Sequence, residues 1–270
     1  MKKTLVALAL AAVVAVGASA RGASANHSWS TYHWGRTANP FTLKLGNNVS
    51  SSWTQYLTNT SAAWNTSSVL QTTVLAGQAG RKCRGTTGRV EVCSSTYGNN
   101  GWLGLASISL SGGHITVGTV KLNDTYFNTA TYDNPNERNH VMCQEVGHTF
   151  GLDHQDTSSA AFYTCMDYFS NTGVNASSTT STAPDQGDYD QLLCIYDPSS
   201  AGRTLTSTTS GIPHTCTGSG HLDPTSTVGA PAPSRLGQMP PNAHRGQTHY
   251  VQHFRNGITQ VTWIIWAKNR

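Results

Sequence analysis

Apolar and polar residues alternate in FTLKLGNN, Phe41 to Asn48, and a period of two predicts a strand. The next stretch, Ser50 to Ser67, places Trp53, Tyr56, Leu57 and Trp64 at mostly helical spacing, with serines at its start that suit a cap. Val69 to Gly77 and Arg89 to Ser95 are further β-rich runs. Gly101 to Asp124 reads as two strands around the turn Ser111-Gly112-Gly113. A helix is predicted from Pro135 to Phe150, with Asn134 as its cap, proline at its first position and Gly151 as its stop. Asp185 to Asp197 reads as one more helix, with Tyr189, Leu192, Leu193 and Tyr196 on its apolar side. The order strand, helix, several strands, helix predicts an α+β fold, a mixed sheet with a helix packed on it.

The two ends of the chain differ from this pattern. MKK followed by the apolar run TLVALALAAVVAVGA and two small-residue cleavage patterns reads as a secretory signal peptide over residues 1–25. Asn26 to Pro40 reads as an irregular arm. Residues 198–247 are rich in Ser, Thr, Gly and Pro and read as linker or loop. Residues 248–270 carry Asn256-Gly257 between two β-rich runs, a hairpin signal. Residues 26–197 are left as the main domain.

Composition changes the picture in two respects. The formal charge is +4, but Lys2, Lys3 and Arg21 precede the expected cut, so the mature chain carries +1 and gives no reason to infer a nucleic-acid partner. No segment after the leader is apolar enough to span a membrane, and a secreted monomer is expected. The six cysteines in an exported chain read as disulfides. Cys83–Cys93 and Cys194–Cys216 would each close a local loop.

The chemistry lies in CQEVGHTFGLDH, Cys143 to His154. On a helix, Gln144 and His148 stand four apart on one face, with Glu145 beside them. Gly151 permits a sharp turn that returns His154 toward that face. The run Gln144-Glu145-Val146-Gly147-His148-Thr149-Phe150-Gly151-Leu152-Asp153-His154 resembles the metzincin zinc peptidases and their His-Glu-x-x-His-x-x-Gly-x-x-His motif, with glutamine in place of the first histidine. GHTFGLDH is most like the matrixin branch. TCMDY, Thr164 to Tyr168, is similar to the methionine turn of that family, with Met166 as its methionine. GWLGLA is similar to its cleft strand and DYDQLLCIY to its last helix.

The resemblance spans about residues 40–197. It implies a metzincin-like twisted sheet with an active-site helix, a methionine turn and a C-terminal helix. It implies one catalytic Zn²⁺ held by His148, His154 and Gln144, and a peptide or protein substrate; Ca²⁺ is compatible with the family, but no residue here indicates it. Glu145 is implied as the general base toward a metal-activated water. The amide of Gln144 is a neutral, weaker donor than imidazole, so metal affinity should fall. Tyr168 stands two residues after Met166, as in the astacin and serralysin branches, and is a candidate fifth ligand or oxyanion donor. The resemblance also brings Cys143 and Cys165 together beneath the metal. Substrate is expected to add as a strand along Trp102 to Ile108. His140 is read as a helix-surface or cleft-wall residue. The rival reading is a catalytically inactive exported binding protein on the same scaffold.

Overall fold

In the computed structural model, residues 28, 32–155, 163–197, 199, 204–206, 213–215, 238–254 and 256–268 are described. The expected cleavage site and Cys216 lie outside them. The elements in chain order are β1 (His33–Trp34), β2 (Phe41–Asn48), α1 (Ser51–Trp64), β3 (Leu70–Ala76), β4 (Val90–Ser95), β5 (Trp102–Ser111), β6 (His114–Asn123), α2 (Asp124–Phe127) and α3 (Pro135–His148). They continue with a short 3₁₀ turn (Gly173–Asn175), α4 (Gln186–Tyr196), β7 (Thr204–Thr206), β8 (Pro213–Thr215), β9 (His249–His253) and β10 (Thr259–Trp266). No helix among the described residues is long and apolar enough to cross a membrane.

The α+β architecture is one mixed sheet in the order β3-β2-β4-β6-β5-β10-β9, with β1 pairing beside β6. Strands β2, β3, β4 and β6 run parallel, and β5, β10 and β9 pair antiparallel. The arm before Phe41 is thus not wholly irregular, since His33 and Trp34 pair with His114 and Ile115. A second ladder, β7 with β8, falls inside the stretch read as linker.

Helices α1 and α3 pack on one face of the sheet around Trp53, Leu57, Trp64, Val141, Val146 and Phe150, all with no solvent exposure. The Asn134 side chain accepts from the Asn136 N–H, and Pro135 opens α3. At the start of α1 the backbone has N-cap geometry at Ser50, but its hydroxyl makes no capping bond. The hydroxyl meets Ser52 Oγ instead, at 2.9 Å.

Two glycines set the approach of elements to the site. A side chain at Gly147 would strike the Met166 sulfur and Trp64, so its absence lets the turn containing Met166 lie against α3. Gly151 has φ +98°, and any β-carbon there would meet the Tyr32 carbonyl. Helix α3 ends at His148 and the chain reverses at Gly151.

The terminal hairpin is part of the main sheet. Strand β10 runs along β5, pairing Val261 with Ile108, Trp263 with Ala106 and Ile265 with Gly104. Alternation puts Val261, Trp263 and Ile265 on the helix side, where they join the main core. Ile264 points the other way and packs with Trp102, Leu105 and Tyr250. The edge of β5 that the sequence reading offers to substrate is therefore already paired.

Candidate active site

Helix α3 carries Gln144, Glu145 and His148, and all three are fully buried. Gln144 and His148 share a face one turn apart, as the spacing requires. The turn at Gly151 brings His154 back to this face, with its ring 4.8 Å from that of His148 and nearly perpendicular to it. Tyr168 closes the group, its ring edge-on to His154 at 5.2 Å. The structure thus brings together His148, His154 and Tyr168, and the helix repeat sets Gln144 and Glu145 beside them.

Each donor is oriented by a partner behind it. The Gln144 amide nitrogen donates to the carbonyls of Cys165 and Asp167, both at 2.7 Å. Two acceptors fix that end as nitrogen, so the oxygen is the end left over, and it is buried with no hydrogen-bond partner. His148 Nδ1 donates to the Leu152 carbonyl at 2.9 Å, which leaves the lone pair on Nε2. His154 Nδ1 lies 3.8 Å from the Asp153 carboxylate, and its buried Nε2 has no hydrogen-bond partner. Burial, then His148 beside it, pushes the His154 imidazole down to about 3 against the pull of Asp153. Two imidazoles and a partnerless amide oxygen form a donor set of the kind that holds a borderline cation.

Among the described residues, no group of three or more His, Cys, Asp or Glu side chains is placed to hold a metal ion. Gln144 would have to complete the set. The orphaned polar atoms are of a kind that fits zinc, and an amide oxygen would then be the third and weakest ligand.

Glu145 lies against Gly104 of β5, where a β-carbon would collide with its carboxylate. Burial raises its pKa well above the usual carboxylate range. The Ile265 and Ala106 N–H groups partly offset this. Neither makes a hydrogen bond of normal geometry, and both carboxylate oxygens are buried without such a partner.

The turn below is held firmly. Cys143–Cys165 is a disulfide, and Cys83–Cys93 is another. Cys194 is disulfide-bonded as well, but its expected partner Cys216 lies outside the described residues. The Gln155 N–H donates to the Met166 carbonyl at 2.9 Å, and the Cys165 N–H to the Ala183 carbonyl at 2.9 Å. Thr164 Oγ1 donates to Asp188, the residue that closes the capping box of α4. Met166 itself is fully buried.

His140 is not on the helix surface but fully buried. The segment after the methionine turn folds over it. Its Nδ1 donates to the Ser181 carbonyl at 2.6 Å, Phe169 packs edge-on, and burial pushes it down to about 4.

Three contributors were not assigned to the site from the sequence, although Trp263 and Trp266 read there as residues that pack the terminal strand against the domain. Trp263 of β10 stacks flat on His148, ring centres 5.0 Å apart at 5°, and its indole N–H reaches Asp153 at 3.3 Å. The Trp266 N–H donates to the Tyr168 hydroxyl at 3.2 Å. Gly104 makes the room that Glu145 occupies. The available signal was the alternation of Val261, Trp263 and Ile265 in a run whose intervening residues include Ile264, a pattern of a strand covered on both faces.

No family model matches this sequence, and no curated protein does. Among solved structures, the chain is similar to high choriolytic enzyme 1, a hatching enzyme zinc-protease from the medaka fish Oryzias latipes. The identity is 12% and the TM-score 0.31, over 59% of this chain and 92% of that one, a likeness too slight to carry an argument.

Proposed function

We propose that this chain is a secreted, zinc-dependent endopeptidase with a metzincin-like catalytic unit over residues 26–197, following a leader at 1–25. The observation that carries the reading is the oriented donor set, in which Gln144 Oε1 and His154 Nε2 are buried without partners beside the Nε2 lone pair of His148. Unpaired buried polar atoms are costly, and Gln144 Oε1 and His154 Nε2 left so beside the His148 ring are explained by a cation. Two disulfides suit an exported protein.

Zinc held there by His148, His154 and Gln144 would supply Lewis acidity toward a peptide carbonyl. Glu145 takes a proton from the attacking water and returns it to the leaving amine. The Tyr168 hydroxyl donates to the oxygen that gains charge. The Cys165 and Asp167 carbonyls hold the Gln144 side chain in its rotamer.

The rival, an exported binding protein on the same scaffold, is favoured by the lack of a third acidic or imidazole ligand among the described residues. Hydrolysis of a denatured protein separates the two. Cleavage is expected to need zinc and to stop with a chelator. It should fall by about 10²-fold or more in Glu145→Gln, with metal content unchanged. A rate indifferent to both chelator and Glu145→Gln contradicts the proposal.

A further inference from the structure

Strand β10 occupies the place an extended peptide would take in the cleft. It lies antiparallel along β5 from Thr259 to Trp266 and satisfies the main-chain edge that β-strand addition of a substrate requires. Its Trp263 lies flat on His148. Its backbone at Ile265 approaches Glu145, and its Trp266 N–H takes the Tyr168 hydroxyl. With β10 in place, Gln144, Glu145 and His148 have no solvent exposure, so no reacting carbonyl reaches them.

The attachment is of a kind that can let go. β10 is held by a main-chain ladder, the burial of Val261, Trp263 and Ile265, a ring stack, a hydroxyl contact from Thr262 to Ser107 and the hydrogen bonds of Trp263 and Trp266, none of them covalent. The disulfides Cys83–Cys93 and Cys143–Cys165 both lie elsewhere in the molecule. Strand β9 pairs with the far side of β10 and turns into it at Gly257, φ +76°, so the hairpin forms one unit.

We propose that the terminal hairpin, β9 with β10, is a built-in occupant of the substrate groove that keeps the site latent, and that the groove takes an extended peptide when β10 leaves. This rests on the peptidase reading for its biological sense, but the groove can be tested without hydrolysis. The probe is a fluorescent synthetic peptide of residues 258–267, added to the oxidatively folded mature chain and to two full-length variants. Trp263→Ala removes the ring over His148, and Val261→Pro removes an N–H on the side of β10 that faces β5. Hydrogen exchange of the β10 amides reports whether the strand has opened.

Both variants are expected to lose protection in β10 while α3 stays protected. They should bind the peptide at least about tenfold more tightly than the parent chain, because apparent affinity scales with the open fraction. Chelator-sensitive hydrolysis should rise with the same variants. Binding without hydrolysis would sink the peptidase reading and leave the groove assignment standing. Three results overturn the latency proposal. The first is released β10 without peptide binding. The second is unchanged protection of β10 in both variants. The third is loss of the cooperative fold in both, which would make β10 core and not cover.

Discussion

The site has a lower wall and an upper wall, and they are built differently. The lower wall, α3 with the methionine turn, is fixed by a disulfide, by the Gln144 amide on two carbonyls and by Thr164 on Asp188. Every one of these ties orients a donor or the turn beneath it. The upper wall, β10, is held by strand pairing and by burial of Trp263 and Ile265, which no lower-wall side chain covalently restrains. Catalytic groups need fixed geometry, and a substrate groove needs an edge that can change partner. On the proposed function, the first task falls to the lower wall and the second to the upper.

The largest expected effect tests the upper wall. Trp263→Ala should weaken β10 by about 4 kcal/mol, the usual cost of truncating a buried indole. If β10 opens locally, its amide protection falls by roughly a thousandfold while α3 amides change little. An equal fall in α3 would erase the distinction between the walls. The lower wall is tested by replacing Cys143 and Cys165 together with alanine. Opening a loop with a separation of 22 residues should cost about 3 kcal/mol of global stability in denaturant unfolding. Protection of β10 should be unaffected relative to the rest.

Next comes Glu137, near the start of α3. It accepts from the Ser170 hydroxyl and the Asn171 N–H, and burial raises its pKa to about 7. Between about 4.5 and about 7 the folded chain holds a proton that the unfolded chain releases. Its contribution is therefore fully present below about 4.5 and is lost as pH rises through about 7, on the order of 3 kcal/mol. Glu137→Gln should flatten that part of the stability–pH curve, and an unchanged slope would contradict the assignment. The smallest effect expected is at the ligand set. Gln144→His should raise zinc affinity by about tenfold, or about 1.4 kcal/mol, since imidazole is the better donor. Unchanged affinity would remove Gln144 from the ligands.

The lower wall was the legible one. Asn134 and Pro135 mark the start of α3, Gly151 marks its reversal, and the spacing of Gln144, His148 and His154 places them within one helical turn and its return. These are local signals, written within a few residues of the features they produce. The Cys83–Cys93 loop was legible for the same reason, whereas Cys143–Cys165 was expected only from the family resemblance. Strand β10 was visible as a strand, but its partner was not. The indole of Trp263 meets Asp153 across 110 residues, and nothing in either segment names the other. The burial of His140 escaped the sequence because its cover comes from Phe169 and Ser181, in a segment with no regular period. The missed contacts share a cause: pairing partners are chosen by the whole chain, and local pattern fixes only what each segment can offer.

The most direct test of the central claim is the zinc content of the oxidatively folded mature chain after equilibration with the metal, measured beside His148→Ala. The account predicts about one zinc per chain, lost in the variant while its fold is retained. No bound zinc in the parent chain, or equal zinc in both, would contradict it.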